Sequence, residues 1–85
     1  MNEYISRAIV KTLDACGPSR SLTLDTLCTY ANAHLSSYAG REQIQAHVNE
    51  LERLGYVRRE ARPLAPDVIA YSITETGHSI ALTLV

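Results

Sequence analysis

The chain has 85 residues, a formal net charge of −1 and 46% hydrophobic residues. A length below the typical domain size of about 100 residues supports a single domain, and the balance of apolar and charged residues argues against disorder. The near-neutral charge excludes a basic tail that would hold nucleic acid by bulk charge alone. We therefore expect one domain over residues 1–85, in which any contact with nucleic acid depends on a local basic surface.

Cysteine usage and hydropathy exclude further classes of protein. Cys16 and Cys28 are the only cysteines, too few for a disulfide-stapled secreted scaffold. The first residues include Glu3 and no uninterrupted apolar segment, so they do not resemble a secretory signal. No run approaches the ~18 apolar residues that span a bilayer. These features predict a cytoplasmic protein without a membrane segment, in which both thiols stay reduced.

Three amphipathic helices are predicted in the first two thirds of the chain. The first covers residues 4–16, and the second covers about 23–35. A turn-like segment at 36–40 precedes the third helix, which covers 41–54 and stops at Gly55. In each segment apolar residues recur at three- and four-residue spacing, which predicts one buried face.

The pattern changes its period after the third helix. Residues 56–60 are compatible with a strand, residues 62–67 carry two prolines and an aspartate, and residues 68–73 are rich in β-branched and aromatic side chains. Two strands separated by a loop are most simply an antiparallel hairpin. In such a hairpin Tyr56 and Tyr71 are expected to face each other across the strands.

A short final helix is predicted after the hairpin. Thr74 or Thr76 is its expected N-cap, although Gly77 lowers its helical propensity. The segment 80–85 that follows is mostly apolar to its last residue. It either packs back on the first helix or forms with that helix a two-fold dimer interface, and the sequence does not separate these alternatives.

This order of elements predicts an α+β fold that is mostly α. Its architecture is a winged helix-turn-helix with three helices, a two-stranded antiparallel wing and a short C-terminal helix. Three helices bury their apolar faces against one another, and the hairpin covers one edge of that core. The third helix then keeps an exposed face, whose width fits the major groove of DNA.

Several short motifs resemble, in their order and spacing, those of winged helix-turn-helix transcription regulators of the ArsR, MarR and PadR groups. A Leu-x-x-Leu-Gly turn ends the third helix, a Gly-Tyr-Val strand opens the wing, and a Tyr-x-Ile-Thr-x-x-Gly segment leads into the last helix. The similarity covers about residues 5–80. The compact length and the first residues also resemble small winged-helix proteins of Mu-like phages. The motif residues are Leu51, Leu54, Gly55, Tyr56, Val57, Tyr71, Ile73, Thr74 and Gly77.

The resemblance implies a transcription regulator that binds double-stranded DNA in a sequence-specific manner, often as a homodimer. Helix 41–54 would lie in the major groove and hairpin 56–73 would act as the wing. Arginine can pair with guanine, and glutamine or asparagine with adenine, so these side chains suit direct base readout. The residues expected to bind DNA are Arg41, Gln43, Gln45, Ala46, Asn49 and Arg53 on the helix, and Arg58, Arg59 and Arg62 on or near the wing.

Acidic residues interrupt the same segment and leave a second interpretation open. Residues 41–62 hold five arginines and four glutamates, so their net charge is only +1. Glu42 and Glu50 lie on or beside the face that would meet DNA, where a carboxylate repels phosphate. The alternative function is a winged-helix module that binds or assembles with other proteins and does not bind DNA.

No motif for catalysis, a cofactor or a metal ion is evident. The histidines His34, His47 and His78, taken with the two cysteines, match no known ligand spacing. The glycines are isolated, so there is no glycine-rich phosphate loop, and no pair of carboxylates suggests acid/base catalysis. The sequence therefore predicts neither an enzyme nor a cofactor or metal site.

Overall fold

The computed structural model describes residues 2–84, so Met1 and Val85, the ends of the predicted domain, lie outside the described residues. It has four helices, α1 (Glu3–Cys16), α2 (Leu24–Asn32), α3 (Arg41–Arg53) and α4 (Glu75–Ala81). Its strands, β1 (Leu22–Thr23), β2 (Val57–Arg62) and β3 (Ala65–Ile73), form one antiparallel sheet in the order β1-β3-β2. This architecture confirms the predicted winged helix-turn-helix. None of the described helices is long and apolar enough to cross a membrane.

The core lies where α1, α2 and α3 meet one end of the sheet. Its members recur at helical spacing along the three helices, as the sequence predicts. Burying each such side chain contributes about 1.5–3 kcal/mol, so this packing determines which side of α3 faces outward. The largest fully buried apolar side chains are Ile9, Leu13, Leu27, Ile44, Val48 and Ile73.

A glycine stop ends α3 and directs the chain into the wing. Gly55 has a φ of 84°, a conformation that favours glycine. The Gly55 N–H donates to the Glu52 carbonyl and the Tyr56 N–H to the Leu51 carbonyl, both at 3.0 Å. This pair of hydrogen bonds is a Schellman motif, which satisfies carbonyl groups that the helix end would leave open. The predicted end of this helix at Gly55 is therefore confirmed.

Residues 22–23 differ from the prediction. The sequence predicted a helix over about 23–35 after a polar connector, whereas Leu22 and Thr23 form a strand paired with Tyr71 and Ala70. The wing hairpin is thus part of a three-stranded sheet and not a two-stranded one. A strand of two residues shows no alternation of apolar and polar residues, so its sequence carries no strand signal.

The wing hairpin is longer than predicted. The expected loop at 62–67 is mostly strand, and only Pro63 and Leu64 form the turn. Pro66 lies inside β3 although it has no N–H to donate. The pairing with β2 shifts after Ala61, which leaves the residues around Pro66 outside the regular ladder. Proline is tolerated at such an irregularity because no ladder hydrogen bond is lost there.

The two wing tyrosines do not face each other, so that prediction is wrong. Tyr71 pairs with Arg59 on β2 and is 3% exposed. Tyr56 precedes β2, and its carbonyl accepts a 3.2 Å hydrogen bond from the Thr74 N–H. The sequence pattern had the right strands but a wrong register, which the turn and the β-bulge determine.

The C-terminal segment packs back on α1, the first of the two predicted arrangements. Thr74 caps α4, because its Oγ1 accepts a 3.0 Å hydrogen bond from the Gly77 N–H. Ala81 and Leu84 are partly buried against the core, whereas Leu82 is 72% exposed. The second arrangement, a two-fold dimer interface, stays a prediction.

Candidate nucleic-acid interface

The outward face of α3 is determined by the burial of its opposite face. Ile44 and Val48 are fully buried, and successive residues of a helix are rotated by about 100°. Arg41, Gln45 and Asn49 therefore follow one another along the outer side at four-residue spacing. The predicted exposed face thus has a straight row of one cationic and two amide side chains.

An open cleft of 530 Å³ separates this row from the wing, and we term it the α3–wing cleft. A second, adjoining groove lies on the outer side of α3 and includes Ala46 and Glu42. Together these depressions bring five of the predicted residues to one continuous surface: Arg41, Gln45, Ala46, Asn49 and Arg59. The remaining cleft residues are Thr23, Leu24, Asp25, Asp67, Val68, Ile69 and Tyr71.

Two amide side chains and a tyrosine are linked within the cleft. Gln45 Nε2 donates to Asn49 Oδ1 at 2.8 Å and to Tyr71 Oη at 3.1 Å. Tyr71 is buried in the sheet, so its hydroxyl is a fixed anchor for Gln45. Gln45 and Asn49 are therefore held in place by hydrogen bonds within the protein.

The two cleft arginines each contact a carboxylate. Arg41 Nη1 forms an ion pair with Asp25 Oδ1, in the first turn of α2. Arg59 Nε lies 3.5 Å from Glu52 Oε2, so the wing is tied to the end of α3. All four side chains are at least one third exposed. Exposed pairs of this kind are worth at most about 1 kcal/mol, so a phosphate can compete for both guanidinium groups.

Arg53 extends the row by one turn and is paired within α3. Its Nε donates to Glu50 Oε2 at 2.9 Å, and its Nη2 contacts Glu50 Oε1. This hydrogen bonding and the opposite charge lower the pKa of the Glu50 carboxyl and raise the pKa of the Arg53 guanidinium. Both groups are therefore charged at neutral pH, and the Glu50 carboxylate offsets the positive charge of Arg53.

Arg58 and Arg62 lie on the other face of the hairpin from Arg59. Side chains alternate along a strand, and Arg59 faces α3. Arg58 Nη2 donates to the Pro18 carbonyl at 3.3 Å, and Arg62 Nη2 donates to the Ser21 carbonyl at 3.2 Å. These two predicted residues are therefore not brought to the α3–wing cleft.

Gln43 also lies apart from the cleft. Its Oε1 accepts a 3.0 Å hydrogen bond from the Gly40 N–H at the start of α3. Its neighbours across space are in the turn before α3 and at the start of α1, including Tyr38 and Ile5. The side chain caps the helix and does not join the row of Arg41, Gln45 and Asn49.

Asn32 fixes the turn that presents α3. Its Nδ2 donates to the carbonyls of Cys28 at 2.9 Å and Ala39 at 3.0 Å, and its Oδ1 accepts from the Ala39 N–H at 2.7 Å. The helix predicted over about 23–35 ends here. Hydrogen bonds to the third preceding residue continue as far as Leu35, which explains why the apolar pattern extends beyond the end of α2.

Four residues at or beside the candidate interface were not predicted from the sequence: Asp25, Glu52, Asp67 and Tyr71. The contact of Asp25 with Arg41 spans 16 residues of sequence, so no local pattern indicates it. The Tyr71 contact depends on the strand register. The Glu52 position, seven residues before Arg59, was the only local signal available, since it places both side chains at the α3–β2 junction.

The surroundings of His47 and of the two cysteines do not indicate a metal site. Within residues 2–84 no three His, Cys, Asp or Glu side chains gather as a metal site would require. His47 is 7% exposed, with Nδ1 2.7 Å from the Gln43 carbonyl and Nε2 accepting a 3.1 Å hydrogen bond from the Asn2 N–H. Cys16 and Cys28 are free thiols, and burial raises the pKa of Cys28.

No protein-family model matches the chain, and no curated protein matches it at a significant level. Solved structures of transcription regulators do match it. The chain superposes on BpsR of Bordetella bronchiseptica with a TM-score of 0.80 at 8% identity, covering 99% of this chain and 53% of that one. A MarR-family regulator from Silicibacter pomeroyi gives 0.77 at 18% identity, covering 96% and 49%. BldR from Sulfolobus solfataricus gives 0.73 at 24% identity, covering 94% and 50%.

The chain therefore spans about half the length of the solved chains that it matches. The resemblance to phage proteins finds no support among these structures. At identities of 24% and below, the likeness concerns the fold. The chain has the winged-helix fold found in MarR-family and related transcription regulators.

Proposed function

We propose that the chain is a DNA-binding transcription regulator, not an enzyme, in which α3 enters the major groove and the β2–β3 hairpin acts as the wing. One observation carries the proposal: five side chains form a continuous surface on the outer side of α3 and beside the wing. They are Arg41, Gln45, Ala46, Asn49 and Arg59. The width of a helix suits the major groove, and the matched solved structures that share the fold are transcription regulators, which supports the proposal.

The side chains divide into base-reading and phosphate-binding roles. Gln45 and Asn49 have the donor and acceptor pair that reads adenine, and the methyl group of Ala46 suits contact with a thymine methyl. To reach a base, Gln45 exchanges its hydrogen bond to Asn49 or to Tyr71. Binding therefore replaces existing hydrogen bonds and does not simply add new ones.

The arginines mainly supply affinity. Arg59 borders the cleft and meets the phosphate backbone of the strand between the major groove and the wing. Arg53, Arg58 and Arg62 lie further along α3 and on the other face of the hairpin, where they meet the flanking backbone or the minor groove. Gln43 contributes by capping α3 and makes no base contact.

We further propose that two copies bind DNA as a homodimer. An apolar groove of 350 Å³ joins α1, the end of α3 and the C-terminal segment. A two-fold pair would place its two α3 helices in successive major grooves, about 34 Å apart. The apolar groove residues are Val10, Leu51, Leu54, Tyr56, Ile80 and Leu84.

Selection from a pool of random duplexes, followed by fluorescence anisotropy over a salt series, tests this function. We expect the selected duplex to bind more tightly than a scrambled one, with a log–log salt slope of about −0.9 per neutralised phosphate. Asn49→Ala should weaken binding of the selected duplex by roughly 10-fold, since a good base contact is worth about 1–3 kcal/mol. It should change binding of the scrambled duplex far less.

A charge variant and its matched control complete the test. Arg59→Gln should weaken binding of both duplexes and reduce the log–log salt slope by the contribution of about one phosphate. Lys11→Gln removes the same charge from α1, outside the cleft, and should have little effect. If no duplex binds even at low salt, the DNA-binding function is wrong. Recovery of a protein partner whose binding Asn49→Ala abolishes would then favour the protein-interaction module.

A further inference from the structure

We propose that Asp25 is a positioning residue for sequence recognition, an inference that rests on the proposed DNA-binding function. In this arrangement Asp25 holds Arg41 in place for contact with a base and withholds it from phosphates. The ratio of specific to non-specific affinity would then depend on one carboxylate outside the recognition helix.

The geometry of the pair supports such a role. Arg41 begins α3, and Asp25 lies in the first turn of α2, so the ion pair bridges the two helices of the helix-turn-helix. Only Nη1 of Arg41 contacts Asp25 Oδ1. A guanidinium has five N–H donors in a planar fork, so the contact leaves donors for the two acceptors that guanine shows in the major groove.

The position of Arg41 is unfavourable for α3 itself. A cation in the first turn of a helix opposes the helix dipole, so helix stability does not explain an arginine there. Asp25 supplies the compensating negative charge, and it stands at the N-terminus of α2, where an anion is favourable. Arg41 is thus understood more readily as half of a pair than by itself.

The charge inventory of the cleft favours the same interpretation. The described lining residues of the cleft include two arginines, Arg41 and Arg59, and two carboxylates, Asp25 and Asp67, so their formal charges cancel. Non-specific binding depends essentially on phosphate contacts. A phosphate that accepts from the remaining donors of Arg41 brings its negative charge beside the Asp25 carboxylate, whereas the acceptors of guanine carry no formal charge. The carboxylate therefore penalises the non-specific complex more than the specific one.

The neutralising variant Asp25→Asn gives a direct test by anisotropy with the selected and the scrambled duplex. We expect affinity for the scrambled duplex to rise about two- to fivefold, the range of one exposed ion pair. Affinity for the selected duplex should stay the same or fall, so the specificity ratio falls. Glu75→Gln is the matched control, because it removes an exposed carboxylate from the first turn of α4, outside the cleft. It should leave the ratio unchanged.

A double-mutant cycle separates positioning from general charge repulsion. In an Arg41→Gln background, Asp25→Asn should no longer change the specificity ratio. The inference is overturned if Asp25→Asn still changes the specificity ratio in that background, or if it raises the affinity for both duplexes equally in the wild-type background. Asp25 would then act only as a negative charge. If none of the variants binds either duplex at low salt, the proposed function itself fails, a result distinct from an unchanged ratio.

Discussion

Gly77 has an unfavourable helical propensity in the sequence, but the structure requires a glycine at this position. In the sequence it is a weak residue inside a predicted helix. In the structure a Cβ built at this position lies 2.1 Å from the Tyr56 carbonyl oxygen and 2.7 Å from Ile73 Cδ1. The glycine allows α4 to approach the start of the wing closely, while its N–H donates to the capping Thr74. The close approach is a long-range contact, so helical propensity does not reveal it.

We expect Gly77→Ala to destabilise the protein by about 1–3 kcal/mol, the usual cost of overpacking. In an unconstrained helix the same change stabilises by up to about 1 kcal/mol, so the two mechanisms predict opposite signs. Urea unfolding followed by circular dichroism measures the difference. Ser79→Ala, at an exposed position of the same helix, is the control and should be neutral or slightly stabilising. A Gly77→Ala variant as stable as the wild type would contradict the close approach.

At the scale of single elements, local pattern predicted the helices well and the sheet less well. The apolar spacing that predicts α1 and α3 extends over several turns, which makes both helices easy to recognise. In α3 the buried side chains Ile44 and Val48 fix the inward face, so Arg41, Gln45 and Asn49 lie on the outward face. Gln43 was grouped with them because it is not part of the apolar stripe. A helix has flanks as well as two faces, and only tertiary packing shows which neighbour a flank meets.

The sheet depends on information that is distant in sequence. A two-residue β1 is too short to produce a pattern, and the bulge after Ala61 shifts the register that pairs Tyr71 with Arg59. A shift of one residue moves every side chain to the opposite face. For this reason the sequence placed Arg58, Arg59 and Arg62 together on the wing without indicating that Arg59 alone faces α3.

The turn between α2 and α3 provides a test at this scale. Asn32→Asp keeps the acceptor for the Ala39 N–H but loses the two donors to the Cys28 and Ala39 carbonyls. We expect a loss of roughly 1–3 kcal/mol in unfolding free energy, because the Ala39 carbonyl loses its side-chain donor. Chemical denaturation measures it, with Ser36→Ala in the same turn as a neutral control. Equal stability of the two variants would show that Asn32 does not hold the turn.

At the scale of the whole molecule, the net charge of −1 goes with a surface on which arginines form ion pairs with carboxylates. Arg41, Arg53 and Arg59, the arginines beside the cleft and along α3, each contact a carboxylate. Under the proposed function, DNA binding would exchange weak exposed ion pairs for phosphate contacts, which lowers non-specific affinity. We therefore propose that base contacts and two-fold symmetry would contribute more to binding than bulk attraction.

In the proposed function, two-fold association would contribute to DNA binding and would also cover apolar surface. Leu54 is 46% exposed and lines the apolar groove beside α1 and the C-terminal segment. We expect the wild type to self-associate in sedimentation velocity, and Leu54→Glu to weaken association by at least about tenfold, a change of roughly 1.4 kcal/mol. The added carboxylate would be desolvated in the interface and would also lie near Glu3 and Glu50, which border the same groove.

Leu64→Glu is the matched control for this experiment. Leu64 is 99% exposed at the wing tip, so the same substitution there leaves the groove intact and should not change self-association in the absence of DNA. A wild type that stays monomeric at its highest soluble concentration, or equal effects of the two substitutions, would contradict a dimer built on this groove. A monomer would also halve the base contacts per complex. The cleft around Arg41 in a single α3 would then have to discriminate between DNA sequences as well as two α3 helices do in a dimer.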